Sequence, residues 1–356
     1  MITWRFQFDM LLPPELHNDS LYRTSLEQVA WADKRGLTEV WLTEHHGSLF
    51  ISSPFALAAA IGAVTERVRI MVSCVLLPLH DPIRVAEDHI MASLTSQGRT
   101  EAVVGIGYAP HEFEMFGVDP SRRGKIVDKY LPVYVSAMAG EPFDFDGRRG
   151  RVLPGPYQGR RPAVLGGGGV AASAKRAAKY CDGFATNEAD PALAAFYREE
   201  CARLGRQPGP VRTPNMPMYV HVTNDPEKAW SVLGPAYLHE MNYYGHWTAQ
   251  AASANVGAKT AHAAVAEPLT DVNIVRNGSA YVVVTPEQCI ELARKMPDGA
   301  YLCLRPNKTG IHTDMSWESI ELFADKVLPH IDVYTPEEIA TPVVDRIPWH
   351  AHKTRF

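Results

Sequence analysis

The sequence predicts an α/β protein built as a (β/α)8 TIM barrel, on three observations. Short β-type runs alternate with helical patterns along most of the chain, eight such pairs follow one another, and the links between them are mostly short. A chain of 356 residues is long enough for two average domains, yet it also suits a single barrel. The alternation favours that barrel over its nearest rival, a doubly wound open sheet.

The first expected strand is RFQFDMLL, residues 5–12. SLEQVAWADKRG follows as a helix, with Leu26, Val29 and Ala30 on one stripe and Gly36 as its stop. TEVWL (38–42) and PFALAAAIGAVTE (54–66) form the second pair, and RVRIMVSCVLL (67–77) with IRVAEDHIMASL the third. TEAVVGIG (100–107) leads into the helix RGKIVDKYLPVYVSAMAG. An irregular insertion rich in Gly, Pro and Arg, about 141–162, interrupts the pattern before AVL (163–165) and VAASAKRAAKYC resume it. DGFATN and ALAAFYREECARLG make the sixth pair, and MPMYVHVT (216–223) with DPEKAWSVLGPAYLHEM the seventh. AYLCLRP (300–306) and SWESIELFADKVLPHI are the eighth. Residues 1–332 thus read as one barrel. The stretch 242–284 is too long for a plain loop and reads as a lid segment, and 333–356 as a C-terminal tail wrapping the surface or a partner subunit.

Composition narrows the partners. Hydrophobic residues are 46% and charged residues 21% of the chain, with a net charge of −5, so neither nucleic acid nor an anionic membrane surface is expected. No apolar run approaches the roughly 20 residues that span a bilayer. The beginning, MITWRFQFDMLL, has no basic leader with an apolar stretch and cleavage site, and reads as a strand. Cys74, Cys181, Cys201, Cys289 and Cys303 are scattered and odd in number, which suits a reducing compartment; the expected location is cytoplasmic.

In a barrel the chemistry gathers where strands end. The glycine run VLGGGGVAASAKRAAK follows a strand and opens a helix. Glycines permit a close backbone approach, and the helix's first N–H groups favour a phosphate. Gly167, Gly168, Gly169, Val170 and Ser173 are the candidate contacts, with Lys175 or Arg176 adding charge. It is not a triphosphate loop of the GxxxxGK[ST] type. Ser73 and Cys74 break a bulky strand with two small residues; they leave room for a flat ligand or simply fit a barrel layer. Cys74 reads as a small buried hydrophobe rather than a nucleophile. Gly105 and Gly107 again end a strand in backbone, with Tyr108 placed to cover a ring.

The stretch LTEHHG holds Glu44, His45 and His46. Adjacent side chains of an extended segment point to opposite faces, so the two imidazoles do not converge easily on one metal, and no metal is expected. One of them faces the barrel mouth as a functional group, or both are structural.

Taken together, GLTEVWLTEHHG, RIMVSCVLLPLHDPIRVAED, SQGRTEAVVGIGYAPHEFEMFGVD, VLGGGGVAASAKRAAKYCDGF and ELFADKVLPHI resemble the bacterial luciferase-like flavin monooxygenases, with spacing close to that of the luciferase alpha subunit. The resemblance covers most of the chain. It implies a barrel that takes reduced FMN as a co-substrate from a separate NAD(P)H:flavin reductase, and reacts it with O2 to a C4a-peroxyflavin. That species then oxygenates a small or medium organic substrate by hydroxylation or Baeyer–Villiger oxidation. The family's catalytic histidine falls on His45, with Glu44 and His46 beside it. Its small-residue pair under the flavin ring, often joined by a cis peptide, falls on Ser73–Cys74, and its phosphate loop on Gly167, Gly168, Gly169 and the next helix start. A homodimer is the family expectation. The chain departs at Gly105, where luciferase has a reactive cysteine, so light emission is not implied. Its phosphate loop is one residue longer than the commonest family spacing. Its 237–250 segment is its own, with Tyr243, Tyr244 and Trp247 suited to an apolar or planar substrate. Two alternatives share this barrel: an F420-dependent hydride-transfer enzyme, and a flavin-binding protein without turnover.

Overall fold

Every second residue of the first strand shows how the molecule is layered. In β1 (Thr3–Phe8), Trp4, Phe6 and Phe8 are fully buried, while Thr3, Arg5 and Gln7 face the other way into a cavity. An apolar outer face packs under helices, and the polar inner face surrounds a ligand-sized space. This computed structural model describes residues 1–254, 264–265 and 267–343.

The alternation continues through α1 (Leu21–Asp33), β2 (Glu39–Leu42), α2 (Pro54–Val64), β3 (Arg69–Leu76), α3 (Pro82–Thr95) and β4 (Thr100–Gly105). Two helices, α4 (Pro110–Met115) and α5 (Arg123–Met138), precede an antiparallel hairpin of β5 (Phe143–Phe145) and β6 (Arg148–Gly150). That hairpin lies within the insertion expected at 141–162. Then come β7 (Val164–Gly167), α6 (Ala171–Tyr180), β8 (Gly183–Ala185), α7 (Pro191–Arg203), β9 (Val211–Arg212) and β10 (Tyr219–Val222). The chain continues with α8 (Pro226–Ser253), α9 (Val272–Arg276), β11 (Tyr281–Val284), α10 (Pro286–Lys295), β12 (Tyr301–Leu304) and α11 (Thr313–Leu322).

Ten strands pair in the order β11-β10-β12-β1-β2-β3-β4-β7-β8-β9, all in parallel. Residues from nine of them line a single cavity: Arg5, Trp41, Ser73, Val103, Gly167, Ala185, Arg212, Tyr219 and Tyr301 represent one strand each. A sheet whose many strands share one interior is a curled one, and the fold is the α/β TIM barrel.

Several elements differ from expectation for local reasons. The first strand ends at Phe8, because the Asp9 side chain turns back to accept the Leu11 N–H at 3.1 Å. The seventh strand is shorter, Tyr219–Val222, and the two-residue β9 before it has too little pattern to be read. The stretch 242–284, expected as a lid segment, carries regular elements among its described residues. The helix α8 runs on to Ser253, because Tyr244, Trp247 and Ala251 continue its apolar stripe and are buried. After it come α9 and the strand β11, which pairs with β10. Residues 255–263 and 266 of that stretch lie outside the described residues. The next helix, α10, opens on a capping box of Thr285 and Gln288.

The tail is a strap across the N-terminal ends of the strands. Val333 bridges to Ile2, the Thr38 hydroxyl donates to the Tyr334 carbonyl at 2.9 Å, and the Thr341 N–H donates to Glu101 at 3.1 Å. Residues 344–356 of the expected tail lie outside the described residues.

Candidate active site

Strand β2 ends at Leu42, and the next residues deliver the histidine pair to the C-terminal mouth of the barrel. His45 and His46 are both buried but go separate ways. The His45 Nδ1–H donates to Glu112 Oε1 at 2.9 Å, and the same oxygen accepts the His46 backbone N–H at 3.0 Å. Glu112 comes from the short helix α4 and is wholly buried. With Nδ1 committed to a carboxylate, Nε2 is the ring nitrogen left for a ligand. Of the two histidines, only His45 lines the cavity among the described residues.

His46 turns to Glu44, its Nε2 lying 2.9 Å from Oε1, and His80 reaches the same oxygen from the loop after β3. The Leu76 N–H donates to the other oxygen, Oε2, at 2.9 Å. Burial alone would raise the Glu44 carboxyl, but the hydrogen bonds from His46 and His80, and then Leu76, hold it at about 2. Burial works against protonated His80 too, and its pKa is nonetheless raised by Glu44. The donor atoms of Glu44, His46 and His80 lie within 4.8 Å of one another, the composition of a two-histidine, one-carboxylate metal triad. These atoms already satisfy each other directly, so the trio is complete as a hydrogen-bonded brace. From sequence Glu112 reads only as part of a short helix lining the mouth and His80 carries no signal, since both partners come from distant segments.

Aromatic rings cover His45. Phe50, Trp247 and Tyr244 stand 4.6, 4.8 and 5.6 Å away between ring centroids, and Tyr108 closes an edge at 6.4 Å. Tyr244 and Trp247 reach this point from α8, while Tyr243 packs one layer out against Trp247. The 237–250 segment therefore forms a roof over the histidine.

The cavity wall opposite is made by small groups. The Ser73–Cys74 peptide is cis, and the ladder to β4 shifts register there. A Cβ on Gly105 would stand 2.9 Å from the Cys74 Cβ, so glycine is needed for this close approach. Burial pushes the Cys74 thiol up to about 11, as suits a packing residue and not a nucleophile.

At the far end, β7 runs into α6 through the glycine run. Gly168 has φ +143°, and a Cβ there would meet Ser173 at 2.7 Å. The Ser173 hydroxyl donates to the Val170 carbonyl at 2.6 Å, fixing the first turn. Gly167, Gly168, Gly169, Val170 and Ser173 all line the cavity, and so do Ser121, Arg123 and Arg176, of which the sequence reading singled out only Arg176. Arg176 is held by Asp128 at 2.7 Å. One cavity of about 1050 Å³ therefore joins the histidine, the flat wall of small residues and a helix N-terminus flanked by arginines. Gly107 and Tyr108 lie between them on the same wall.

The family model described as "Luciferase-like monooxygenase" matches residues 6–299. The chain belongs to the luciferase-like monooxygenases. Among characterised relatives of this family, limonene 1,2-monooxygenase of Rhodococcus erythropolis is 26% identical, over 92% of this chain and 87% of that protein. Several curated matches are partial: one, 28% identical to an uncharacterised protein of Sinorhizobium fredii, spans 38% of this chain and 39% of that protein. Two solved structures share the fold. The oxygenating constituent of 3,6-diketocamphane monooxygenase from Pseudomonas putida, a type II Baeyer–Villiger monooxygenase in complex with FMN, superposes with TM-score 0.68 at 16% identity, covering 94% of this chain and 99% of that one. An F420-dependent secondary alcohol dehydrogenase in complex with an F420–acetone adduct gives 0.63 at 16% identity, covering 93% and 99%. This luciferase-like monooxygenase is an oxidoreductase, and none of its described helices is long and apolar enough to cross a membrane.

Proposed function

We propose that this protein binds reduced FMN as a co-substrate and uses O2 to place one oxygen atom on a small or medium organic substrate, by hydroxylation or Baeyer–Villiger oxidation. The observation that carries the reading is the single cavity that joins His45–Glu112 to the α6 N-terminus past the Ser73–Cys74 wall. Reduced FMN, when bound, supplies the electrons that activate O2. Its phosphate would be held by the first N–H groups of α6 with Arg123 and Arg176 nearby, and its ring would lie in the gap left by Ser73, Cys74 and Gly105. His45 then holds or passes a proton at Nε2, with Glu112 fixing the tautomer. The roof of Phe50, Tyr244 and Trp247 keeps water from that atom. The two monooxygenases described above support this reading. The reduced cofactor would come from a separate flavin reductase.

The F420-dependent neighbour carries the alternative, hydride transfer from a deazaflavin. Both are tested by mixing the protein anaerobically with reduced FMN or reduced F420 and then admitting air. Tight FMN binding, with oxygen consumed and transient flavin absorbance that differs from free flavin, is the expected result. Tight F420 binding without any reaction with oxygen would overturn it.

A further inference from the structure

Three arginines of the barrel strands are not partnered alike. Arg5 is paired with Glu39 and clamped between the Trp41 and Tyr301 rings, 3.9 and 3.7 Å from their centroids. Arg69 is paired with Glu101. The third arginine, Arg212 on β9, lines the same cavity as Arg5. Among the described residues no carboxylate oxygen lies within 4.0 Å of it. Its Nη2 donates to the Ile339 carbonyl of the strap at 2.5 Å, and its Nε is buried without a hydrogen-bond partner. Glu39 feels the field of Arg212, but the Arg5 Nε already holds the Glu39 Oε1 at 2.6 Å. Arg5 and Arg69 thus each have a carboxylate partner, whereas Arg212 is held by a backbone carbonyl.

A cation facing a cavity without a counter-charge is stabilised when an anion enters beside it, and a guanidinium fork matches a carboxylate in two hydrogen bonds. The strap's carbonyl orients Arg212 without neutralising it. The phosphate end of the cofactor has its own seat at α6, so it does not account for this charge. We propose that Arg212 is a specificity-determining residue that seats a carboxylate of the substrate. The substrate's planar or apolar body lies in the part of the cavity lined by Trp41, Met218, Tyr219 and Tyr301. The proposal deepens the function put forward above and rests on it for the placement of the flavin.

Benzoate and benzamide have nearly the same shape and differ in charge, so they serve as probes on the full-length, FMN-loaded protein and on the protein without flavin. Calorimetry should show benzoate binding about tenfold more tightly than benzamide, the scale of one charge-assisted contact. Arg212→Gln should abolish that preference and leave benzamide binding unchanged, while Arg212→Lys keeps part of it. FMN affinity, read separately from quenching of flavin fluorescence, should stay within about twofold in both variants. Equal binding of the two probes by the wild type overturns the proposal, and so does a preference that survives Arg212→Gln. Loss of FMN affinity in Arg212→Gln with the probe preference intact also overturns it, because the charge would then serve the cofactor. Failure of the wild type to bind FMN sinks the flavin reading alone, since the benzoate preference is measured without flavin as well.

Discussion

At the scale of single residues, the two histidines of LTEHHG separate into two carboxylate–imidazole pairs built back to back. His45 is oriented by Glu112 and faces the cavity, whereas His46 and His80 brace Glu44. Glu112 acts through His45, so it is a positioning residue. Glu112→Gln keeps the shape but makes the group a weaker acceptor and removes the charge that favours the Nδ1–H tautomer. With reduced FMN and O2 supplied, product formed per flavin oxidised should fall about tenfold to a hundredfold, with flavin affinity unchanged. The pH profile of the coupled reaction should shift as well. If coupling and pH profile both match the wild type, His45 does not depend on this carboxylate. The EHH triplet and the small pair Ser73–Cys74 were legible in the sequence because they are contiguous. Glu112 was legible only as a helix residue, because its role arises from a fold that brings it 67 positions back to His45.

At the scale of elements, the roof helix α8 is fastened by a buried cluster of charges. Arg305 donates to Glu240 at 2.8 and 2.6 Å and also pairs with Asp9, and Lys308 stands 3.3 Å from Glu240 and 3.4 Å from Asp9. All four side chains are almost wholly buried. Burial, helped by Arg305, pulls Lys308 down to about 7. One turn beyond Glu240 the same helix places Tyr244, and the next places Trp247, over His45. Removing one partner of a buried pair costs about 3–5 kcal/mol because the others stay buried. Glu240→Ala should therefore lower the melting temperature by several degrees and shift tryptophan fluorescence to the red as Trp247 meets water. An unchanged emission maximum would show that α8 is held by packing alone. The sequence showed the start of this helix, where Asp225 caps it ahead of Pro226, but not its length. Aromatic residues and glycine weaken helix propensity over NYYGHW, and burial against the barrel mouth overrides that weakness. The strand β9 was illegible for a different reason: two residues carry no period.

At the scale of the whole molecule, buried titratable groups set the acid limit. Burial holds His89 at about 3 and His221 at about 4, against an ordinary 6.5. Below pH 6.5 the unfolded chain takes up protons that these folded imidazoles do not, so stability falls as the pH drops from 6.5 towards 4. Glu44, at about 2 against 4.5, adds a second loss as the pH falls from 4.5 to about 2. Each histidine contributes up to about 1.4 kcal/mol per pH step within its window. Melting temperature should be level near neutrality and decline below pH 6.5, and His89→Gln should flatten the slope relative to its own neutral value. A melting temperature that stays constant from pH 7 to pH 5 would show that neither imidazole is held neutral. The barrel itself was the most legible feature, since it depends on repeated alternation over the whole chain. The path of the tail was not, because hydrogen bonds from Thr38 and Thr341 to a passing backbone or carboxylate leave no period to read.

That strap has a consequence for the order in which the molecule is made. Tyr334 accepts from Thr38, 296 residues earlier, and Val333 bridges to Ile2 at the start of the first strand. On a ribosome, β1 to β4 emerge long before the segment that closes the floor beneath them. Until it arrives, Glu101 and Arg212 lack the backbone partners that the strap supplies. These contacts of the barrel floor therefore form only after the strap has been made. Its final closure brings together ends far apart in sequence, the kind of step that makes folding slow.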